Sequence, residues 1–261
     1  MESKTKRVKL SVQKDKESNR PNWFLAIQID DPGIIEEMTK IQQDMIELEP
    51  RLKPALVSVN KAHMTLFVFN VENTERVESL VGEWICDYTT AHLKLEDLTI
   101  KAKNVGHFDH RVIFVNLELD PALHAFCQNI GRLLLEDKII DDANLIKFKP
   151  HLTLFKLSQV KHWQNKKVKP LRKIPEELYK SWTNHSFGTQ KVSEIQLLSM
   201  TLPKDLNGYY FCQCRFELEE RLLPAKTKKV TKSKSNFMLL GTIGATAIMA
   251  MAFLIHNKIR K

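Results

Sequence analysis

Cysteine is scarce in this chain: Cys86, Cys127, Cys212 and Cys214 are the only four in 261 residues. Four scattered thiols exclude the disulfide framework of a small secreted domain. No Cys-x-x-Cys or His-spaced partner completes a zinc site. Cys212 and Cys214 share one face of a strand, and reduced thiols in a cytosolic core are the expectation. The N-terminus is charged and polar where a secretory signal would be apolar. Residue 2 is glutamate, so a Met-Gly lipidation signal is missing too. Acidic residues are absent from 221–236, and charge of either sign is absent from Phe237 to Ile255.

That last run, FMLLGTIGATAIMAMAFLI, is just long enough to cross the hydrocarbon core of a bilayer as a helix. It shows no polar face beyond its threonines, and lysines and arginines flank both ends. The expectation is a single C-terminal transmembrane helix with everything upstream in the cytosol. Gly241, Gly244, Ala245 and Ala247 permit weak dimerisation of such helices in the membrane. A short, moderately apolar span with basic flanks suits the mitochondrial outer membrane or the endoplasmic reticulum better than the thicker plasma membrane.

The net charge of +9 resembles a nucleic-acid signature until it is located. Residues 1–20 carry +4, 221–236 carry +6 and 256–261 carry +3, which leaves −4 over 21–220. A mildly acidic core weakens any reading as a broad nucleic-acid-binding surface and favours a small ligand in a cleft. The expected organisation is a flexible basic arm (1–20), one domain (21–220), a basic linker (221–236), the membrane anchor (237–255) and a basic tail (256–261). The run Lys161–Lys173 is a charged loop.

Within the domain, WFLAIQI reads as a buried strand, broken by Asp30-Asp31-Pro32-Gly33, which opens a helix. Ile34, Met38, Ile41, Met45 and Leu48 form one apolar stripe that ends before Pro50. The reading continues with a strand over His63–Phe69, a helix over Thr74–Ala91 and strands over Leu95–Val105 and Val112–Leu119. His107-Phe108-Asp109-His110 forms the hairpin turn between the latter two. A helix follows over Pro121–Lys138, then a strand over Ile146–Leu157 and a short helix over Pro175–Trp182. Strands over Val192–Met200 and Tyr209–Leu218 flank an Asn207-Gly208 turn. About seven strands and three or four helices result, and strand–helix–strand recurs in the second half, so the domain reads as two similar lobes.

Chemistry concentrates in a repeated tetrapeptide, His63-Met64-Thr65-Leu66 and His151-Leu152-Thr153-Leu154. Strand side chains alternate, so histidine and threonine share one face while the apolar residues anchor the other. Two imidazoles with an intrinsic pKa near 6.5 supply a general base and a general acid at neutral pH. Threonine hydroxyls beside them can hold phosphoryl oxygens. The catalytic candidates are therefore His63, Thr65, His151 and Thr153. No metal or cofactor is required, and neither histidine has the acidic or cysteine partner that ligation would need.

Five further residues are candidates to bind substrate. Lys149 shares strand parity with His151, and Arg111 follows the hairpin turn. Phe67 and Phe155 share the face of the catalytic pairs by simple alternation and suit base stacking, against the alternative of core packing. Tyr209 and Tyr210 alternate, and Tyr209 is the one taken to face the cleft. The other histidines lack a repeated context and read as structural or exposed.

With Pro21-Asn22-Trp23-Phe24-Leu25, Ala62–Leu66, Phe148–Leu154, His185-Ser186-Phe187-Gly188, Leu198-Ser199-Met200 and Asn207-Gly208-Tyr209-Tyr210, the chain resembles the two-histidine phosphoesterase superfamily. The likeness is nearest to the nucleotide-binding central domain of the A-kinase-anchoring protein 7 group, and it covers about residues 20–218 in consistent order. It implies an α+β, two-lobed (LigT-like) fold whose two antiparallel sheets line a central cleft with helices outside. It also implies a nucleoside phosphate or short oligoribonucleotide ligand, such as 2′,5′-linked oligoadenylate or a 2′,3′-cyclic phosphate end. Two functions follow: a metal-independent phosphodiesterase, or a sensor or scaffold that binds AMP or CMP without turnover. The amphipathic helix with which that group docks the regulatory subunit of protein kinase A has no counterpart in Arg221–Asn236, so kinase anchoring is not supported.

Overall fold

The computed structural model describes residues 20–92, 98–146, 148–162 and 171–218. The basic arm short of Arg20, the linker, the expected membrane helix at 237–255 and the basic tail lie outside the described residues. Among the described residues, no helix is long and apolar enough to cross a membrane.

Strand β1 (Trp23–Gln28) is buried on both faces, as its unbroken apolar run requires. It pairs antiparallel with β2 (His63–Phe69) and with β7 (Glu194–Ser199), which pairs with β8 (Cys212–Glu217). The second sheet is built from β3 (Thr99–Phe108), β4 (Val112–Leu119), β5 (His151–Lys156) and β6 (Ser186–Lys191). The two sheets run β2-β1-β7-β8 and β5-β4-β3-β6, so β2 and β5 occupy equivalent edges.

The likeness of the lobes extends to their helices. Asp31-Pro32 opens α1 (Pro32–Leu48) and Asp120-Pro121 opens α3 (Pro121–Glu136). In each, the aspartate accepts a backbone N–H of the first turn, from Ile34 at 3.0 Å and from Leu123 at 2.9 Å. Proline occupies a position whose N–H would have no helical partner. On α1, Ile34, Met38, Ile41 and Met45 are buried as the stripe predicts, whereas Leu48 is 69% exposed in the last turn. Gln42 is buried in addition, and its amide donates to the carbonyls of Val57 (2.8 Å) and Leu154 (3.1 Å). Those bonds, with the bridge between Leu56 and Phe155, tie α1 to the end of β5.

Several sequence expectations need correction. Among the described residues there are eight strands: β6, SFGTQK, was missed because its alternation is mostly polar. Its Gln190 explains the polarity, donating to Gln28 O at 2.8 Å and accepting from Asp30 and Asp31 N–H. The strand expected from Ile146 begins only at His151. Asp142–Ile146 is instead a short helix, α4, entered through the Asp141 carboxylate, which accepts from Asn144 N–H at 2.9 Å. Pro175–Trp182 forms two 3-10 turns, and β8 starts three residues later than expected. The hairpin turn is tight, with Asp109 and His110 both at positive φ, the geometry that matches strand twist. Helix α2 (Glu75–His92) agrees with expectation to within a residue at each end.

One irregularity decides which side chains of the edge strands face the core. Pairing of β1 with β2 slips between Leu25 and Ala26, so Leu25 faces Phe67 but Ala26 faces Thr65, and Leu66 is the extra residue. Pairing of β4 with β5 slips identically: Ile113 faces Phe155, Phe114 faces Thr153, and Leu154 is extra. A bulge reverses the parity of everything beyond it. Phe67 and Phe155 therefore point into the core, 2% and 0% exposed, and are not base-stacking surfaces. Phe67 stacks on Phe148 at 5.8 Å, and its ring lies where a side chain at Gly131 of α3 would stand, 2.5 Å from an ideal Cβ.

Phe67→Ala and Phe155→Ala should each lower the free energy of unfolding by about 3–5 kcal/mol in urea titrations. Gly131→Ala should cost about 1–3 kcal/mol by overpacking against Phe67. Unchanged midpoints would place both rings outside the core.

Candidate active site

The upstream half of each edge strand keeps the expected parity. His63 and Thr65 stand on the face of sheet one that carries Gln28 and Ala26, their cross-strand neighbours, and Phe24 beyond the bulge. His151 and Thr153 stand on the face of sheet two that carries Phe114 and Asn116. All four are half-buried.

Each imidazole is fixed in the same way. His63 Nδ1 donates to the carbonyl of Lys61 at 2.6 Å, and His151 Nδ1 donates to the carbonyl of Lys149 at 2.7 Å. A carbonyl oxygen only accepts, so the proton of the neutral ring sits on Nδ1. Nε2 is left as the nitrogen that takes up or gives up a proton. Aromatic rings flank both imidazoles. His63 lies 5.3 Å from Phe24 and 5.3 Å from the ring of Tyr210; His151 lies 5.2 Å from both Phe108 and Phe114. Gly106 makes room for this arrangement, because a Cβ there would stand 2.9 Å from Phe114.

Burial lowers the pKa of both histidines, since desolvation penalises the cation. For His63 the value falls to about 4; the hydrogen bond to Lys61 opposes the fall, and the charges of His151, Lys156 and Lys204 add to it. His151 is lowered by the same cause, opposed by its bond to Lys149 and assisted by the charges of Lys149 and Lys156. The charge of His151 is felt at His63, so the two motifs belong to one electrostatic site.

The structure sorts the substrate-binding candidates. Lys149 is exposed beside His151, its ammonium 5.0 Å over the rings of both Phe108 and Phe114. Arg111 is not brought to the histidines; it lines a separate cavity of about 450 Å³ with Asp109, Leu157, Val160, Leu171, Arg172 and Lys173. Tyr209 is a further correction. Its ring is 5% exposed, packed on Phe24, Ala26 and Leu198, and its hydroxyl donates to Gln196 Oε1 at 2.8 Å. Residues 200–211 form a loop, so strand alternation does not apply, and Tyr210 is the tyrosine that meets His63.

Lys156 was missed. The bulge that sends Phe155 inward returns Lys156 to the side of His151 and Thr153, and its charge reaches both histidines. A signal was available: Lys, His, Thr, Leu and Phe recur at the same offsets in Lys61–Phe67 and Lys149–Phe155. A repeat extending to the phenylalanine marks a shared backbone feature, not only a shared histidine–threonine pair. Among the described residues, no cluster of three or more His, Cys, Asp or Glu is placed to share a metal ion.

Comparison with known proteins places this geometry. A family described as the AKAP7 2′5′ RNA ligase-like domain matches residues 21–218. A-kinase anchor protein 7 isoform gamma of Homo sapiens is 30% identical over 213 residues, covering 80% of this chain and 60% of that protein. The chain thus matches about three-fifths of that relative's length. Among solved structures, E. coli LigT complexed with 3′-AMP is similar at 16% identity and a TM-score of 0.47, over 77% of this chain and 99% of that one. Kluyveromyces marxianus Usb1 with uridine monophosphate is similar at 11% identity and a TM-score of 0.43, over 75% and 97%. The chain belongs to the AKAP7 2′5′ RNA ligase-like domain family, within the two-histidine phosphoesterase superfamily.

Proposed function

We propose that this protein is a metal-independent phosphodiesterase of short RNA, acting on 2′,5′-linked oligoadenylate or on 2′,3′-cyclic phosphate ends. The observation that carries the reading is the mirrored pair of imidazoles, each with Nδ1 held by a backbone carbonyl and a threonine two residues on. Family membership supports it.

His63 is the general base, because its depressed basicity keeps Nε2 unprotonated at neutral pH. It takes the proton of the attacking hydroxyl, which is the ribose 3′-OH for a 2′,5′ linkage or water for a cyclic end. His151 is the general acid and gives its Nε2 proton to the leaving oxygen as the P–O bond breaks. Thr65 and Thr153 donate to the non-bridging oxygens, and Lys156 and Lys149 offset the negative charge. The two protons moved balance: one enters His63 and one leaves His151.

Replacing His63 or His151 with alanine should lower kcat by about 10²–10⁴-fold, with the unfolding midpoint unchanged. Turnover should persist in EDTA. Full activity of both variants on every cleaved substrate would refute the mechanism. Binding of AMP or CMP without cleavage across 2′,5′, 3′,5′ and cyclic substrates would replace it with a nucleotide sensor.

The pH dependence carries a definite sign. The base must be unprotonated, which holds above about pH 4, and the acid protonated, which holds below a value depressed from 6.5. In the free enzyme kcat/KM should therefore peak on the acidic side of 6.5 and fall about tenfold per unit at higher pH. A profile flat from pH 6 to 9 would contradict the assignment of His151.

The reading also places the domain on a membrane, held by residues 237–255 and facing the cytosol, on mitochondria or the endoplasmic reticulum. It rests on the uncharged run and its basic flanks. A fluorescent fusion of residues 221–261 should decorate one of these membranes, whereas a diffuse signal would dismiss the anchor.

A further inference from the structure

Two lysines on the His63 side have no part in the proposed proton transfers. Lys61 ends the 3-10 turn Val59–Lys61, and its backbone is fixed by the bond its carbonyl accepts from His63. Lys204 lies on the loop over residues 200–211. That loop is anchored to the same turn: the Asn60 amide donates to Asn207 O at 2.9 Å. It is braced internally by the Asp205 carboxylate, which accepts from the N–H groups of Asn207 (2.9 Å) and Tyr209 (2.8 Å). The Lys204 ammonium sits 4.5 Å over the ring of Tyr210, whose edge meets His63. The bond between Asn60 and Asn207 brings this loop beside the turn that carries Lys61, and the charge of Lys61 is felt at Lys204.

Two ammonium groups are thus brought together, and neither forms an ion pair with a carboxylate among the described residues. Several other cations in the domain do have carboxylate partners: Arg51 with Glu49, Arg76 with Asp137, Lys103 with Glu118, Lys173 with Asp109 and Arg215 with Glu194. The nearby carboxylate of Asp205 faces backbone N–H groups instead. Partial burial and the nearby Lys61 charge lower the Lys204 amine to about 8, so it remains protonated at pH 7. Like charges held in contact beside a catalytic residue are stabilised by an anion that bridges them. On the other lobe Lys149 spreads over the rings of Phe108 and Phe114.

We propose that Lys61 and Lys204 form a second anion subsite, which takes a phosphate of the substrate other than the one being cleaved. The inference rests on the phosphodiesterase reading and narrows it. The preferred substrates are oligonucleotides that carry a terminal phosphate, over single-phosphate nucleosides such as 2′,3′-cyclic monophosphates. Because the amine pair lies on the His63 side, it also gives the substrate a direction between the two motifs.

The test compares a 2′,5′-linked adenylate dinucleotide bearing a 5′- or 3′-terminal phosphate with the same dinucleotide lacking it. Wild-type protein should favour a phosphorylated form by about 10–100-fold in kcat/KM, mostly through KM, the size expected of charge-assisted hydrogen bonds. Lys61→Gln and Lys204→Gln should shrink that ratio to about twofold or less, and Lys204→Arg should keep it. An unfolded fraction scales both substrates alike, so the ratio does not respond to a purely structural role. No preference in the wild type, or a preference that survives both glutamine variants, overturns the subsite. If no dinucleotide is cleaved, calorimetry with adenosine 3′,5′-bisphosphate against 3′-AMP decides it separately. A bisphosphate advantage lost in Lys204→Gln supports the subsite, and equal affinities in the wild type refute it.

Discussion

The rest of the site depends on one extra residue in each of two edge strands. Leu66 and Leu154 each break the pairing register, and the consequence is the same twice. Upstream of the bulge, histidine and threonine face the cleft while Met64 and Leu152 face the core. Downstream, a phenylalanine drops into the core at the position where plain alternation would have put it in the cleft. The core thus gains two fully buried aromatic side chains directly behind the histidine–threonine pairs. Interiors pack at crystal-like density, so a ring held under the strand restrains the backbone that carries the histidine. The bulge supplies the anchor and the exposed polar pair from one short segment.

The parts of the fold that local chemistry dictates were legible in the sequence. Asp31-Pro32 and Asp120-Pro121 announce helix starts because cap and proline act within one turn. His63–Phe69 reads as a strand to the residue. The histidine–threonine pairs are legible because each obeys alternation over only three residues. What was lost lies where alternation is interrupted or absent. Phe67, Phe155 and Lys156 sit beyond the bulge, and a slip of register leaves no mark in hydrophobicity. Tyr209 and Tyr210 lie on a loop where parity has no meaning. Strand β6 hides because Gln190 earns its burial through hydrogen bonds to β1 and the loop after it, not through apolar surface.

Charge shows the same division between composition and placement. A domain with a net charge of −4 over 21–220 still gathers Lys61, Lys149, Lys156 and Lys204 around two imidazoles. The carboxylates are spent elsewhere, in helix caps, loop braces and ion pairs at the periphery. Net charge describes the far field, whereas catalysis is governed by what lies within a few ångströms. An acidic domain that gathers four lysines around two imidazoles concentrates positive charge at one place without a basic surface elsewhere to require it.

The two motifs are nearly identical in sequence, yet their histidines are not equivalent. Both rings are held by a carbonyl two residues upstream and both lie against aromatics, so neither feature separates them. The difference comes from what covers them. His63 lies beneath Tyr210, on a loop pinned by Asn60, with Lys204 beyond. His151 is flanked by Phe108, which is itself 38% exposed at the rim of a hairpin. Heavier desolvation, with Lys204 added, suppresses the cation at His63 more strongly than at His151. A pair of identical groups cannot divide acid from base by chemistry alone. A single loop, packed over one member of the pair, is enough to make the two imidazoles inequivalent.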